Sequence, residues 1–219
     1  MRRAAILLTL PLILDSGSAL KAQSPHMGFS LNLMIPTGDF ASIKSPEIDS
    51  AGNLFIAKET HDVGLGGSFT VSFPMDRNLA IRMNLSGSAE NGSSRAYNYP
   101  TVNLRHSQFN LGADLQIFPQ GTAFRHRGFY FVAGLSADFE QFDRGFGDLS
   151  SSYYNNDYVD TTRKSRLGAN GGIGHSFGLD AGIRFTMEAT FHKTLTGNNV
   201  DAGDPPSTDF VKLGFGFVF

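Results

Sequence analysis

The 219-residue chain contains no cysteine and no tryptophan. Without cysteine it has no disulfide, no thiol nucleophile and no cysteine-ligated metal. Charge of either sign is scarce: charged residues make up 17% and the formal net charge is −2, which excludes the basic footprint of a nucleic-acid binder. Beyond the first two dozen residues no apolar run approaches the ~20 residues of a membrane helix. Lysine is almost missing from the patterned segments described below. Glycine and phenylalanine are abundant instead, with 25 and 20 copies.

The chain opens "MRRAAILLTLPLILDSGSALKAQS". Arg2 and Arg3, an apolar run from Ala4 to Leu14 and then small residues follow the order of a secretory signal peptide. Cleavage after Ala19 and after Ala22 both fit. Residues 1–22 are taken as the leader and 23–219 as one domain. An exported chain without cysteine needs a stabiliser other than disulfides.

The last nine residues, "VKLGFGFVF", alternate strictly. Val211, Leu213, Phe215, Phe217 and Phe219 share one face of an extended strand; Lys212, Gly214, Gly216 and Val218 share the other. The same alternation runs through 28–35, 63–73, 79–85, 108–117, 129–139, 167–177 and 183–191, which makes about eight strands. The connections alternate between long and short, and the tight ones are "PMDRN" from Pro74 and "GLD" from Gly178. Ten residues at ~3.3 Å each, tilted ~40°, rise roughly 25 Å, the height of the apolar band on a membrane barrel. A ten-stranded count stays open, because "NLFIAKE" inside the first long connection could pair as well.

Alternation alone does not say which face meets water. A soluble lipocalin-like binder would turn the apolar face inward around a ligand. Here the opposite faces are rich in Gly, Ser, Asn and Thr, whereas a solvated exterior would carry many Lys and Glu. The apolar faces carry no Asp, Glu, Lys or Arg, consistent with a cost of ~2–4 kcal/mol for Arg or Lys at mid-membrane. The expected fold is therefore all-β: a transmembrane, antiparallel, up-and-down barrel with an apolar exterior and a polar, packed interior.

The leader, the alternating strands, "FSLNLMIPTGDF" and the closing "GFGFVF" resemble the small outer-membrane β-barrel family, including OmpA-, OmpX- and OmpW-like barrels. The resemblance covers nearly all of the mature chain. It implies a bacterial outer-membrane location, contact with outer-membrane lipid and lipopolysaccharide, and a role for Val211, Leu213, Phe215, Phe217 and Phe219 as the signal read by the barrel-assembly machinery. It implies no cofactor. The expected function is non-enzymatic, structural or surface-interacting through the loops, in a monomer. A narrow OmpW-like channel for small or hydrophobic solutes and a lipid A-modifying barrel enzyme are the alternatives.

Six charges fall on the inward faces: Arg82, Arg184 and Lys212 against Asp114, Asp138 and Glu188. An eight-stranded interior is just wide enough for side chains to fill, and buried charges there must pair. Neighbouring strands suggest Arg82 with Asp114 and Glu188 with Lys212. The alternative is that these charges line an ion path. "GANGGIGHSFG" lacks the spacing and lysine of a phosphate-binding loop and is read as close strand packing. His175 and Ser176 resemble the pair of lipid A deacylases, but adjacent strand residues face opposite ways. The other histidines, His26, His61, His106, His126 and His192, show no ligand spacing, so no metal site is expected. Tyr153, Tyr154 and Tyr158, with Asp157 and Asp160, make the longest late loop a candidate partner surface. Phe73, Phe118, Phe129, Phe177 and Phe219 are candidates for an aromatic girdle.

Overall fold

The structure, a computed structural model, describes residues 24–48, 54–95, 101–145, 159–179, 182–196 and 207–219. The leader and the tyrosines of the late loop lie outside the described residues. Ten strands follow in order: β1 (His26–Pro36), β2 (Ser42–Ile48), β3 (Leu54–His61), β4 (Gly64–Pro74), β5 (Leu79–Arg95), β6 (Val102–Ile117), β7 (Gly128–Gly145), β8 (Val159–Gly178), β9 (Arg184–Thr194) and β10 (Phe210–Val218). Eight of them close a ring, β1-β4-β5-β6-β7-β8-β9-β10, and every pairing is antiparallel. The ring shuts where β1 meets β10: Leu31 faces Phe215, and Met27 and Phe219 exchange backbone hydrogen bonds of 3.2 and 2.8 Å.

The two remaining strands answer the open strand count. "NLFIAKE" does pair, as most of β3, but it adds a hairpin rather than widening the ring. β2 and β3 stand in the first loop and β3 leans on the far end of β5, Lys58 facing Arg95 and His61 facing Gly92. A short helical turn, α1 (Gly38–Ala41), leads into the hairpin.

Alternation places side chains as their chemistry requires. Leu31, Leu65 and Leu135 stand outward at 76%, 69% and 64% exposure, alongside Phe29, Ile81, Leu111, Phe131, Ile173, Met187 and Phe217. The opposite set, including Asn32, Asn84, Asn110, Asp114, Gln116 and Thr190, is buried. The lipocalin-like orientation is therefore excluded, and the barrel wears a continuous apolar belt. The tight turn after β4 is held by Asp76, whose Oδ1 accepts the backbone N–H of Asn78 at 2.6 Å and of Leu79 at 2.8 Å, a local bond that preforms the reversal.

Strands β5 to β8 run well past this belt on the loop side. β5 was expected to stop near Leu85 and continues to Arg95; β6 begins at Val102, β7 reaches Gly145 and β8 begins at Val159. With the hairpin they form a wall of strands, in the order β2-β3-β5-β6-β7-β8, above the belt.

Candidate functional site

The interior is stacked in three tiers. The turn-side tier is apolar. After β6 the chain reverses through Gly121, with φ of 67°, a 3-10 turn (Ala123–Arg125) and His126, with φ of 45°. That reversal folds inward. Phe118 and Ala123 have no exposure, Tyr130 has 1%, and with Ala80 and Val132 they form a cluster that fills this end. Phe118 lies against Tyr130 with ring centroids 5.1 Å apart, and His126 meets both rings edge-on. Phe118 is thus an interior plug residue and not part of an outer girdle. The expectation failed because Phe118 continues the inward set of β6 two residues after Gln116, while Ile117 between them faces out. Phe73, Phe177 and Phe219 do stand on the outside, and Phe129 is half-buried.

The middle tier carries the charges. Arg82 donates Nε and Nη2 to Asp114 Oδ2 at 3.0 and 2.8 Å. It also donates Nη1 and Nη2 to the two oxygens of Glu188 at 2.5 and 3.0 Å. Tyr130 donates its hydroxyl to Glu188 at 3.1 Å. The expected Glu188–Lys212 pair does not form. The register sets Glu188 opposite Gly214 and Lys212 opposite Thr190, and Arg82 reaches Glu188 from across the ring. Lys212 acts on Glu188 and Asp114 electrostatically without an ion pair to either, and it lines two small interior cavities of about 40 and 20 Å³. By the volume one water needs, these hold about three waters and about one. Arg184 is outside the network: it is half-exposed at the turn-side rim, and its Nη1 has no hydrogen-bond partner. Asp138 joins none of the three expected cations; it accepts from Asn110 Nδ2 and lies 3.2 Å from His192 Nε2.

The loop-side tier was missed from the sequence. Glu90 meets His106 Nδ1 at 2.5 Å, and Arg166 Nε lies 3.2 Å from Glu140. Thr208 donates to Glu140, and His192 stacks on Phe210 with centroids 4.5 Å apart. Phe40, projecting from α1 with no exposure, stacks on His61 at 4.5 Å and meets His106 edge-on at 5.2 Å. His106 in turn stacks on Phe142 at 4.4 Å. Burial pushes His61 and His106 down to about 4 and pushes the Glu90 carboxyl up to about 8. Each group therefore resists its charged form. The signal for this tier was available: His106, Gln108 and Asn110 alternate in step with Asp114.

His175 lies on the outer face with its ring 4.2 Å from Phe177, while Ser176 points inward with no exposure. The two do not meet. Among the described residues no group of three His, Cys, Asp or Glu could hold a metal ion. Of the C-terminal residues, Phe215, Phe217 and Phe219 stand exposed on the belt, and Val211 and Leu213 are half-buried beside them.

Solved structures share the fold. The outer membrane protein OprG from Pseudomonas aeruginosa superposes with a TM-score of 0.57 over 89% of this chain and 95% of its own, at 17% identity. The fold is that of the small outer-membrane β-barrels. Ail, the attachment invasion locus protein of Yersinia pestis, matches at a TM-score of 0.42 and 11% identity over 89% of this chain and 96% of its own. The N-terminal β-barrel domain of Pseudomonas aeruginosa OprF matches at 0.35 and 15%, over 89% and 97%. No protein-family model and no curated protein sequence matches the chain.

Proposed function

We propose that the chain is an integral, non-enzymatic barrel of the bacterial outer membrane whose working surface is the loop-side wall and not a pore. The apolar belt supports the location, since such a surface is stable only against lipid. The observation that carries the functional reading is the closed interior. Phe118, Ala123 and Tyr130 fill one end, Phe40, His61 and His106 crowd the other, and the cavities between them are water-sized. A barrel with no passage for solute works through what it displays, and here four ring strands and a hairpin project beyond the belt.

Two measurements test this. Folded protein should run differently on a gel before and after boiling, as a compact membrane barrel does in detergent. In planar bilayers it should give no steady conductance. A stable open level in the native chain would overturn the closed reading and restore the narrow channel.

A further inference from the structure

The outer face of the loop-side wall carries a row of cations. Register sets Lys44 directly opposite Lys58, and Lys58 directly opposite Arg95. All three are exposed. Directly opposed side chains lie about 4.5–5.5 Å apart at Cβ, and like charges at that spacing destabilise a sheet. Among the described residues no carboxylate pairs with any of the three. Two acids on these strands face the other way: Glu59 is buried on the inner side against Arg144, and Glu90 is buried beside His106. Next to the row on the same face runs a rank of hydroxyls, Ser42, Thr60 and Ser93, with Thr60 and Ser93 3.3 Å apart. Cations beside hydroxyl donors are the chemistry that holds phosphate.

The row's position identifies its ligand. Arg95 lies six residues beyond Ala89, roughly 15 Å above the top of the belt at ordinary strand rise and tilt. The row runs across the tilted strands, oblique to the belt, and its side chains point sideways. It therefore faces whatever stands next to the barrel in the outer leaflet, not what arrives from above. We propose that Lys44, Lys58 and Arg95 form a binding site for phosphate groups on the sugar headgroup of neighbouring lipopolysaccharide. This rests on the outer-membrane reading above. The opposed charges are then matched by the headgroup, and binding holds the β2–β3 hairpin against β5.

The test uses the full folded chain in detergent micelles, titrated with purified lipopolysaccharide, with the same material after enzymatic dephosphorylation, and with heparin as a soluble sulfated glycan. At about 1 kcal/mol per cation near an anionic surface, the variant K44Q/K58Q/R95Q should bind lipopolysaccharide about a hundredfold more weakly. Dephosphorylation should weaken the native chain comparably, and R125Q on the turn side should bind as native does. Should the triple variant fail to fold, Lys58→Gln alone, the middle cation, should still weaken binding about fivefold. Unchanged binding by the variants, equal binding of dephosphorylated material, or tighter binding of heparin than of lipopolysaccharide would each overturn the assignment. A native chain lacking the heat-dependent gel shift would instead overturn the barrel reading on which it rests.

Discussion

Replacing Arg82 with methionine should be among the most damaging single changes available to this barrel. The guanidinium makes four charge-assisted hydrogen bonds, two to Asp114 and two to Glu188. Asp114 has a side-chain exposure of 1% and Glu188 of 12%. After the change Asp114 keeps no hydrogen-bond donor, because its Oδ1 has none in the native protein, and only the electrostatic pull of Lys212 remains. Glu188 keeps only the Tyr130 hydroxyl as a hydrogen-bond donor. Removing one side of a buried ion pair costs about 3–5 kcal/mol, since the other charge is left uncompensated. Methionine keeps the aliphatic stem but not the terminal guanidinium atoms, so a small space adds to the loss of charge. Urea unfolding of the refolded protein in lipid vesicles measures it. The reasoning makes a second, sharper demand. Adding Asp114→Asn, Glu188→Gln and Lys212→Met to Arg82→Met should recover most of the loss, because Lys212 acts on both acids and an apolar and neutral replacement of a whole buried ionic cluster is close to neutral. If Arg82→Met costs less than about 1 kcal/mol, or the quadruple variant is no more stable than the single one, the cluster does not hold the interior together.

The other predictions follow from the packing and from the buried titrating groups. Gly174 faces Tyr130 so closely that a Cβ there would lie 2.5 Å from the phenolic oxygen; Gly174→Ala should destabilise by about 1–3 kcal/mol through overpacking, while Gly171→Ala, with nothing within 4 Å, should be nearly silent in the same unfolding assay. The hairpin end of the loop-side tier, where His61 and His106 pack on Phe40 and His106 meets Glu90, should be tightest near pH 6.5. His61 and His106 sit at about 4 when buried and near 6.5 when released, so the closed form loses stability as pH falls from 6.5 towards 4. Glu90 sits at about 8 when buried and near 4.5 when released, so the closed form loses stability as pH rises from 4.5 towards 8. Two histidines outweigh one glutamate below 6.5, and the glutamate acts alone above it. Amide hydrogen exchange in β3 and the N-terminal half of β6 should therefore be slowest near pH 6.5 once corrected for intrinsic rates; a monotonic dependence would refute the account.

The residues that the sequence reveals and those it hides separate along a physical line. Alternation is visible where one face must be apolar, as at Phe109, Leu111, Leu115 and Ile117, because lipid demands it. Above the belt that demand disappears. "SGSAENGSSR" at 86–95 forms a continuous strand in the structure, yet its outward residues Ala89, Asn91, Ser93 and Arg95 carry no hydrophobic signal. The strand ends were therefore placed at the top of the belt and not at the top of the sheet. Ion pairs split in the same way. Arg82 and Asp114 face each other on adjacent strands, a relation that consecutive segments and a tight register make readable. Glu188 and Arg82 lie on β9 and β5, four steps apart in a ring of eight. Contact across the lumen depends on the closed shape, which adjacency along the chain does not encode.

Tyr130 joins two of the interior tiers, and that explains why the charges tolerate their position. Its ring belongs to the apolar turn-side cluster and its hydroxyl donates to Glu188. With Phe118 and Ala123 sealing the space beneath, the ions above are withdrawn from bulk water, which raises both their attraction and the cost of leaving any of them unpaired. The same seal leaves room for only a few waters around Lys212. In a chain without disulfides, an apolar plug that dries an ion cluster, and an ion cluster whose hydrogen bond fixes the orientation of the plug's ring, form one stabilising unit. Neither part would be worth as much alone: the charges in a wet lumen would be screened, and the aromatic plug without Glu188 would bury an unsatisfied phenol. Stability and closure therefore share one cause in this interior, which leaves the loop-side wall as the part of the molecule free to vary.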